Sequence, residues 1–316
     1  MAFRFIPYDT KIDFFRFKWP AIAFSVFLTL ASIYSLTVNG LNFGIDFRGG
    51  ILMEVRATAA DKTDLGPIRA QLAGLELGEV ALQEVGKDHD ILIRIQQQQG
   101  GEEAQQAAVA KVKAALGSAD FEYRRVEFVG PKVGDELIKA GIWAVVFSLL
   151  GIMAYIWIRF EWPFAVNALI ATSHDVLVTM GLFSILQLDF NLTSVAAILT
   201  LAGYSLNDTV VVFDRIRENM RKYKKMPLQE LLNSSINTTL SRTIMTSMTT
   251  FLAVLSILFF AGPVVEGFSL AMAWGILVGT YSSIYVASPL LMFLIKDRSK
   301  MFNPEAKDDG GFAAIS

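Results

Sequence analysis

The chain contains no cysteine, which excludes disulfides, thiolate metal sites and cysteine nucleophiles. Histidine is scarce too: His89 and His174 cannot by themselves make a histidine-rich metal centre, and no cofactor motif is present, so neither metal nor cofactor is expected. Charged residues make up 18% of the chain and nearly balance, at a formal net charge of −2, so no one-sided field points to nucleic acid. What is abundant is apolar. Of 316 residues 53% are hydrophobic and mean hydropathy is +0.45, too high for an ordinary soluble protein.

Six runs are long enough to cross about 30 Å of hydrocarbon. They lie near 19–38, 137–158, 164–186, 191–213, 241–261 and 268–294. The first is a full-length span followed by Asn39, Gly40 and Leu41, not a small-residue cleavage site, and reads as a retained anchor. Basic residues crowd the N-terminus (Arg4, Lys11, Arg16, Lys18), the fourth-to-fifth loop (Arg215 to Lys225) and the C-terminus (Lys296, Arg298, Lys300). The short loops on the other side hold Asp189 and Glu266. Both termini are therefore expected in the cytoplasm.

The expected layout is a cytoplasmic N-terminus (1–18), a first span (19–38), an outside domain (39–135) and a five-helix bundle (136–295). The bundle carries a cytoplasmic loop at 214–240, and a Gly- and Asp-rich tail at 296–316 is expected to be disordered. The loop ends in PLQELLNSSINTTL, read as a surface helix at the membrane interface. In the outside domain, strand-like residues appear at Phe43–Phe47, Ile51–Val55, Val80–Val85, Ile91–Ile95 and FEYRRVEFV, with helices near 61–74 and 102–117. That order is β-α-β-β-α-β, the ferredoxin-like split βαβ. The fold class is thus an α-helical polytopic membrane protein with one extracytoplasmic α+β domain. Gly40, Gly44 and Gly130–Pro131 stand where the domain could hinge on spans one and two.

Ionisable residues inside a bilayer cost roughly 2.5–3.5 kcal/mol each and are functional candidates by default. Asn207 and Asp208 lie in the fourth span, Arg242 heads the fifth, and His174 and Asp175 sit near the middle of the third. Thr238, Arg242, Thr246 and Thr249 fall at helical spacing, one polar stripe. If spans four and five pack antiparallel, Asp208 and Arg242 come to comparable depth, either as a proton-handling pair or as a static pair that fixes packing. His174 and Asp175 are neighbours about 100° apart on a helix, so no dyad between them is expected; a relay role and a structural hydrogen bond both remain open. Ala271, Gly275, Gly279 and Ser283 form a small-residue stripe read as helix packing.

Four segments, FGIDFRGG (43–50), VGPKVGDEL (129–137), GYSLNDTVVVFDRIREN (203–219) and TLSRTIMTS (239–247), together closely resemble the SecD/SecF family of bacterial protein-export membrane subunits, on its smaller, SecF side. Arg48 is a small departure, where the motif often has a small or polar residue. The resemblance covers essentially the whole chain. It implies the resistance-nodulation-division superfamily and a SecD-like partner completing a twelve-span unit. It also implies work with the SecYEG channel and accessory membrane subunits on unfolded exported polypeptide, driven by protons across the bacterial inner membrane. On this reading Asp208 and Arg242 are the proton-transport pair, with Asn207, His174 and Asp175 beside them, and Asp46, Gly49, Gly50, Gly130 and Pro131 are motif residues. The chain is then a transport subunit, not an enzyme. Two other readings are a small-molecule or lipid exporter of the same superfamily, which the small outside domain disfavours, and an intramembrane aspartyl protease using Asp175 and Asp208, which would need the two carboxyls to share a proton.

Overall fold

The structure is a computed structural model and describes residues 10–58, 64–78, 80–85, 90–117, 120–261 and 265–295. The tail beyond 295 and the first residues of the expected 61–74 helix lie outside the described residues.

Six helices are long and apolar enough to cross a membrane. They are α1 (Lys18–Val38), α5 (Pro131–Arg159), α6 (Trp162–Leu186), α7 (Leu192–Lys222), α8 (Leu228–Phe260) and α9 (Glu266–Ser282), the last running through Ser283–Ala287 into α10 (Ser288–Leu294). Ser283–Ala287 is a π-helical turn. Pro289 explains it: proline has no N–H for the carbonyl one turn back and its ring crowds that position, so the ladder loosens instead of continuing.

Between α1 and α5 come β1 (Asn42–Phe43), a single helical turn α2 (Ile45–Arg48), β2 (Gly50–Ala57), α3 (Leu65–Ala73), β3 (Val80–Val85), β4 (Asp90–Ile95), α4 (Gly101–Leu116) and β5 (Phe121–Val129). β2 to β5 form an antiparallel sheet in the order β3-β4-β2-β5, the ferredoxin-like order. One face carries Ile51, Met53, Val55, Ile91, Ile93 and Ile95, covered by Ile68 and Leu72 of α3 and Val109 and Val112 of α4. Alternation of apolar and polar residues along β2 and β4 sets that face, because successive strand side chains point oppositely.

Two expectations fail in instructive ways. The run 43–47 is not a strand of the outside sheet. β1 pairs in parallel with β6 (Asp189–Phe190), between α6 and α7, and the next residues coil into α2. Phe47 then buries against Phe183, Phe190 and Ile198, so residues 41–48 belong to the bundle. Gly44 donates its N–H to Phe190 O at 2.8 Å and is no hinge. The expected interfacial helix is also absent as a separate element. The segment from Leu228 runs straight into span five as the first turns of α8, and Tyr223–Pro227 alone separates α7 from α8. Leu231, Leu232 and Ile236 are buried, and Asn219 Nδ2 donates to Ser235 Oγ at 2.8 Å, zipping the two helices. Asn233 and Asn237 meanwhile hold the backbone of Ile12 and Phe14.

Candidate functional site

The bundle has two apolar clusters. One gathers Phe164, Ala171, Val212, Leu240 and Ile284; the other gathers Val176, Ala202, Val254 and Ile276. Between these positions, on the same four helices, lies a layer of polar side chains: Asp175 on α6, Ser205 and Asp208 on α7, Thr246 and Ser247 on α8, and Thr280 and Ser282 at the end of α9.

Asp208 is 3% exposed. Its Oδ2 accepts from Ser247 Oγ at 3.1 Å and its Oδ1 from Thr246 Oγ1 at 3.4 Å. Ser247 in turn shares a hydrogen bond with Thr280 at 2.7 Å, so one chain of polar groups joins α7, α8 and α9. Arg242 does not complete this cluster. It is exposed, and no ion pair joins it to Asp208 among the described residues. The reason is register: α7 and α8 pack as an antiparallel hairpin with Asp208 level with Thr246 and Ser247, one helical turn, about 6 Å, deeper than Arg242. Asn207, about 100° round α7 from Asp208, is exposed. Gly203, on the same exposed side, has nothing within 4 Å of where a Cβ would stand.

His174 and Asp175 do meet, contrary to the expectation from their 100° offset. His174 Nδ1 lies 2.9 Å from Asp175 Oδ1, because the carboxyl and imidazole reach beyond their Cβ atoms and turn toward each other along the helix. Asp175 is fully buried, and its Oδ2 accepts from Ser205 Oγ at 2.5 Å and Ser282 Oγ at 2.7 Å. Those two serines come from α7 and α9, so Asp175 links three helices as Asp208 does. The Nε2 of His174 is buried and has no partner among the described residues. Asn167, on the same face, donates to Ala287 O at 2.7 Å in the π turn beside Ser282. The two aspartates thus sit in separate hydroxyl cradles, without the shared carboxyl pair that a protease would need. Gly279 lets the helices close: a Cβ there would stand 3.2 Å from Ser205 Cβ.

The motif residues at the outside end are structural in position. Asp46 Oδ2 accepts from Leu192 N at 2.9 Å, adding a carboxylate at the positive end of α7, where Asn191 is already the N-cap. Gly49 and Gly50 have φ of 73° and 125°, and a Cβ on Gly50 would stand 2.5 Å from Ile95 O, so both positions demand glycine. Gly130 is the N-cap of α5 and Pro131 its first residue, a favoured place for proline. Sequence reasoning missed Ser205, Ser247, Thr280 and Ser282, which lie within or near the motifs but look like ordinary small residues in an apolar helix. It also missed an ion pair between Arg94 of β4 and Asp189 of β6 that joins the open face of the sheet to the bundle. Burial, and then the like charge of Arg48, lowers the pKa of Arg94, a cost that Asp189 offsets.

The description of the C-terminal region of SecD/SecF protein export membrane proteins matches residues 108–297, and that of the SecD/SecF GG motif matches 34–61. The chain belongs to the SecD/SecF family. A protein translocase subunit SecF of Rhodobacter capsulatus is 48% identical over 95% of this chain and 94% of its own length, and one of Rickettsia prowazekii is 47% identical over 91% and 92%. Among solved structures, SecDF from Thermus, titled a translocon-associated membrane protein, superposes with a TM-score of 0.80 at 35% identity, over 90% of this chain. SecDF in a super-membrane-facing form gives 0.63 at 34% identity, over 93%. In both cases the chain spans 39% of the SecDF chain's own length.

Proposed function

We propose that the chain is the SecF-type half of a SecD/SecF pair that uses the proton-motive force to promote protein translocation across the bacterial cytoplasmic membrane, with both termini inside. The observation that carries this reading is the buried carboxylate of Asp208, held at mid-bundle by hydroxyls of another helix between two apolar clusters. A carboxylate neutralised by a fixed cation resists protonation, whereas hydroxyl partners can reverse the direction of their hydrogen bonds and accept either protonation state. Because Ser247 also holds Thr280, a proton arriving on Asp208 rearranges bonds to α8 and α9 together. His174 and Asp175 form a second titratable unit across α6, α7 and α9.

Arg242 is left exposed on α8, as are Gly203 and Asn207 on α7, which supports a partner covering this side of the bundle. A SecD-like subunit is the partner this reading requires, followed by the SecYEG channel and accessory subunits, acting on unfolded polypeptide. Purification of the tagged chain from a mild detergent extract tests it: a SecD-like subunit should co-purify in equimolar amount, with channel subunits in lesser amount. Recovery of the chain alone, with export unchanged when it is depleted, would overturn the reading.

A further inference from the structure

We propose that the cleft between the ends of α5 and α7 binds the phosphate of an anionic phospholipid. The cleft measures about 590 Å³ and is lined by Arg159, Asp214, Arg217, Glu218, Arg221 and Lys222, four cations against two carboxylates. Phe160, in the turn between α5 and α6, arranges two of the cations: the guanidinium carbons of Arg159 and Arg217 lie 5.3 Å and 5.6 Å from its ring centroid. Arg217 also leans on Glu161 at 3.4 Å and donates to Arg159 O at 3.4 Å, but its Nε is buried without an acceptor among the described residues. Arg159 has Asp214 at 3.8 Å, a pair with both side chains more than half exposed and of little worth in water. A phosphate offers what is missing: several acceptor oxygens matching the planar forks of two arginines.

Lipid, and not free phosphate, is favoured by what stands beside the cleft. Ile158, the residue before Arg159, is 89% exposed, and Trp157 and Trp162 are 63% and 57% exposed. In a bundle of six spans such side chains meet acyl chains, and tryptophan marks the depth of the headgroups. The cations therefore open onto lipid at the level where phosphates lie, and a phosphatidylglycerol can fill both the polar cleft and its apolar margin. Nothing in the site depends on export.

The test uses Trp157 as reporter. The full chain, with its other tryptophans changed to phenylalanine, is placed in phosphatidylcholine vesicles containing increasing fractions of brominated phosphatidylglycerol or brominated phosphatidylcholine, and quenching is measured. Each cation near the surface contributes about 1 kcal/mol of attraction, roughly fivefold in binding constant, so a preference for phosphatidylglycerol of about 25-fold is expected when two cations engage. Arg159→Gln with Arg217→Gln should bring the ratio near one. Lys224→Gln with Lys225→Gln, in the adjoining loop outside the cleft, should leave it unchanged. Equal quenching of the wild-type chain by the two lipids overturns the proposal, even if the double variant fails to insert. So does an equal loss in the Lys224 and Lys225 variant, which would mean diffuse attraction. Abolition of the preference by millimolar inorganic phosphate would assign the cleft to a soluble anion, and its abolition by an acidic peptide would assign it to a protein.

Discussion

Ser247 donates a hydrogen bond to Asp208 at 3.1 Å, while Arg242 on the same helix stands exposed and makes no close ion pair with it. The carboxylate is thus solvated by hydroxyls rather than paired with a cation inside this chain. Within this chain Asp208 is therefore held by hydroxyls and not by a close ion pair, and an ionisable group buried at this depth is a functional candidate.

Asp208→Asn keeps the size and one acceptor oxygen, with the hydroxyl that faces the amide nitrogen turning to accept its N–H, but cannot titrate. The variant is expected to insert at normal levels and to lose export stimulation to the level of cells without the chain. Export of a slow substrate at matched expression is the measurement, and full activity would leave Asp208 as a packing residue.

Arg242→Lys should leave the isolated chain unchanged in stability within about 0.5 kcal/mol, because an exposed side chain with no close ion pair among the described residues is being replaced. In the complex the planar guanidinium fork is lost, and export should fall severalfold. Thermal unfolding of the chain and export in cells separate the two effects; wild-type export would show that a positive charge alone suffices.

Orientation is open to a direct check, since a chain with no cysteine has no labelling background. Cysteine at exposed Lys111, on α4, should react with an impermeant thiol reagent in cells whose outer barrier is permeabilised, and cysteine at exposed Lys224, between α7 and α8, should not. Equal labelling would refute the proposed topology.

Much of the fold was legible in the sequence because the signals are local. Hydrophobic runs of span length, alternation along β2 and β4, and Gly117 after α4 each follow from short stretches. Residues 43–47 misled because their alternation is real but their partner, Asp189–Phe190, is 147 residues away. The start of α8 misled because its polar face, Asn233 and Asn237, looks solvated when it in fact holds the chain's own N-terminal segment. At the site, charge identified Asp208, Asp175 and His174. The hydroxyls that bind them were invisible, since a serine in an apolar helix gains meaning from the helix packed opposite. The separation of Arg242 from Asp208 turns on one turn of register between α7 and α8, which no residue spacing within either helix specifies.

The ion pair between Arg94 and Asp189 predicts a latch. Taken singly it is worth about 1 kcal/mol or less, since both side chains keep some solvent contact. Reversing one charge should therefore loosen the sheet from the bundle without unfolding it, and exchanging both should restore the contact. Arg94→Cys with Asp189→Cys, joined by a cleavable bifunctional thiol reagent whose spacer replaces the length of the two side chains, should stop export while the complex still assembles, and cleavage should restore it. Undiminished export by the locked form would make the outside domain a passive docking surface.

The sheet is joined to the bundle by neighbouring strands. Gly50, where β2 begins, is paired with Val129, where β5 ends. Below them Asp46 is fixed to Leu192, and Gly134 lies against the carbonyl of Phe47. Two attachments side by side remove most of the freedom a flexible tether would leave, and what survives is a tilt about the line they define. That line runs across the strands, so what moves most is their far ends, where Ala57 of β2 pairs with Phe121 of β5, about 23 Å from Gly50 at roughly 3.3 Å per residue. A tilt of roughly 20° would carry those ends about 8 Å, more than one strand spacing. Small rearrangements at the two glycine-bearing strand ends would thus become a stroke at the rim, with the sheet itself acting as a rigid lever.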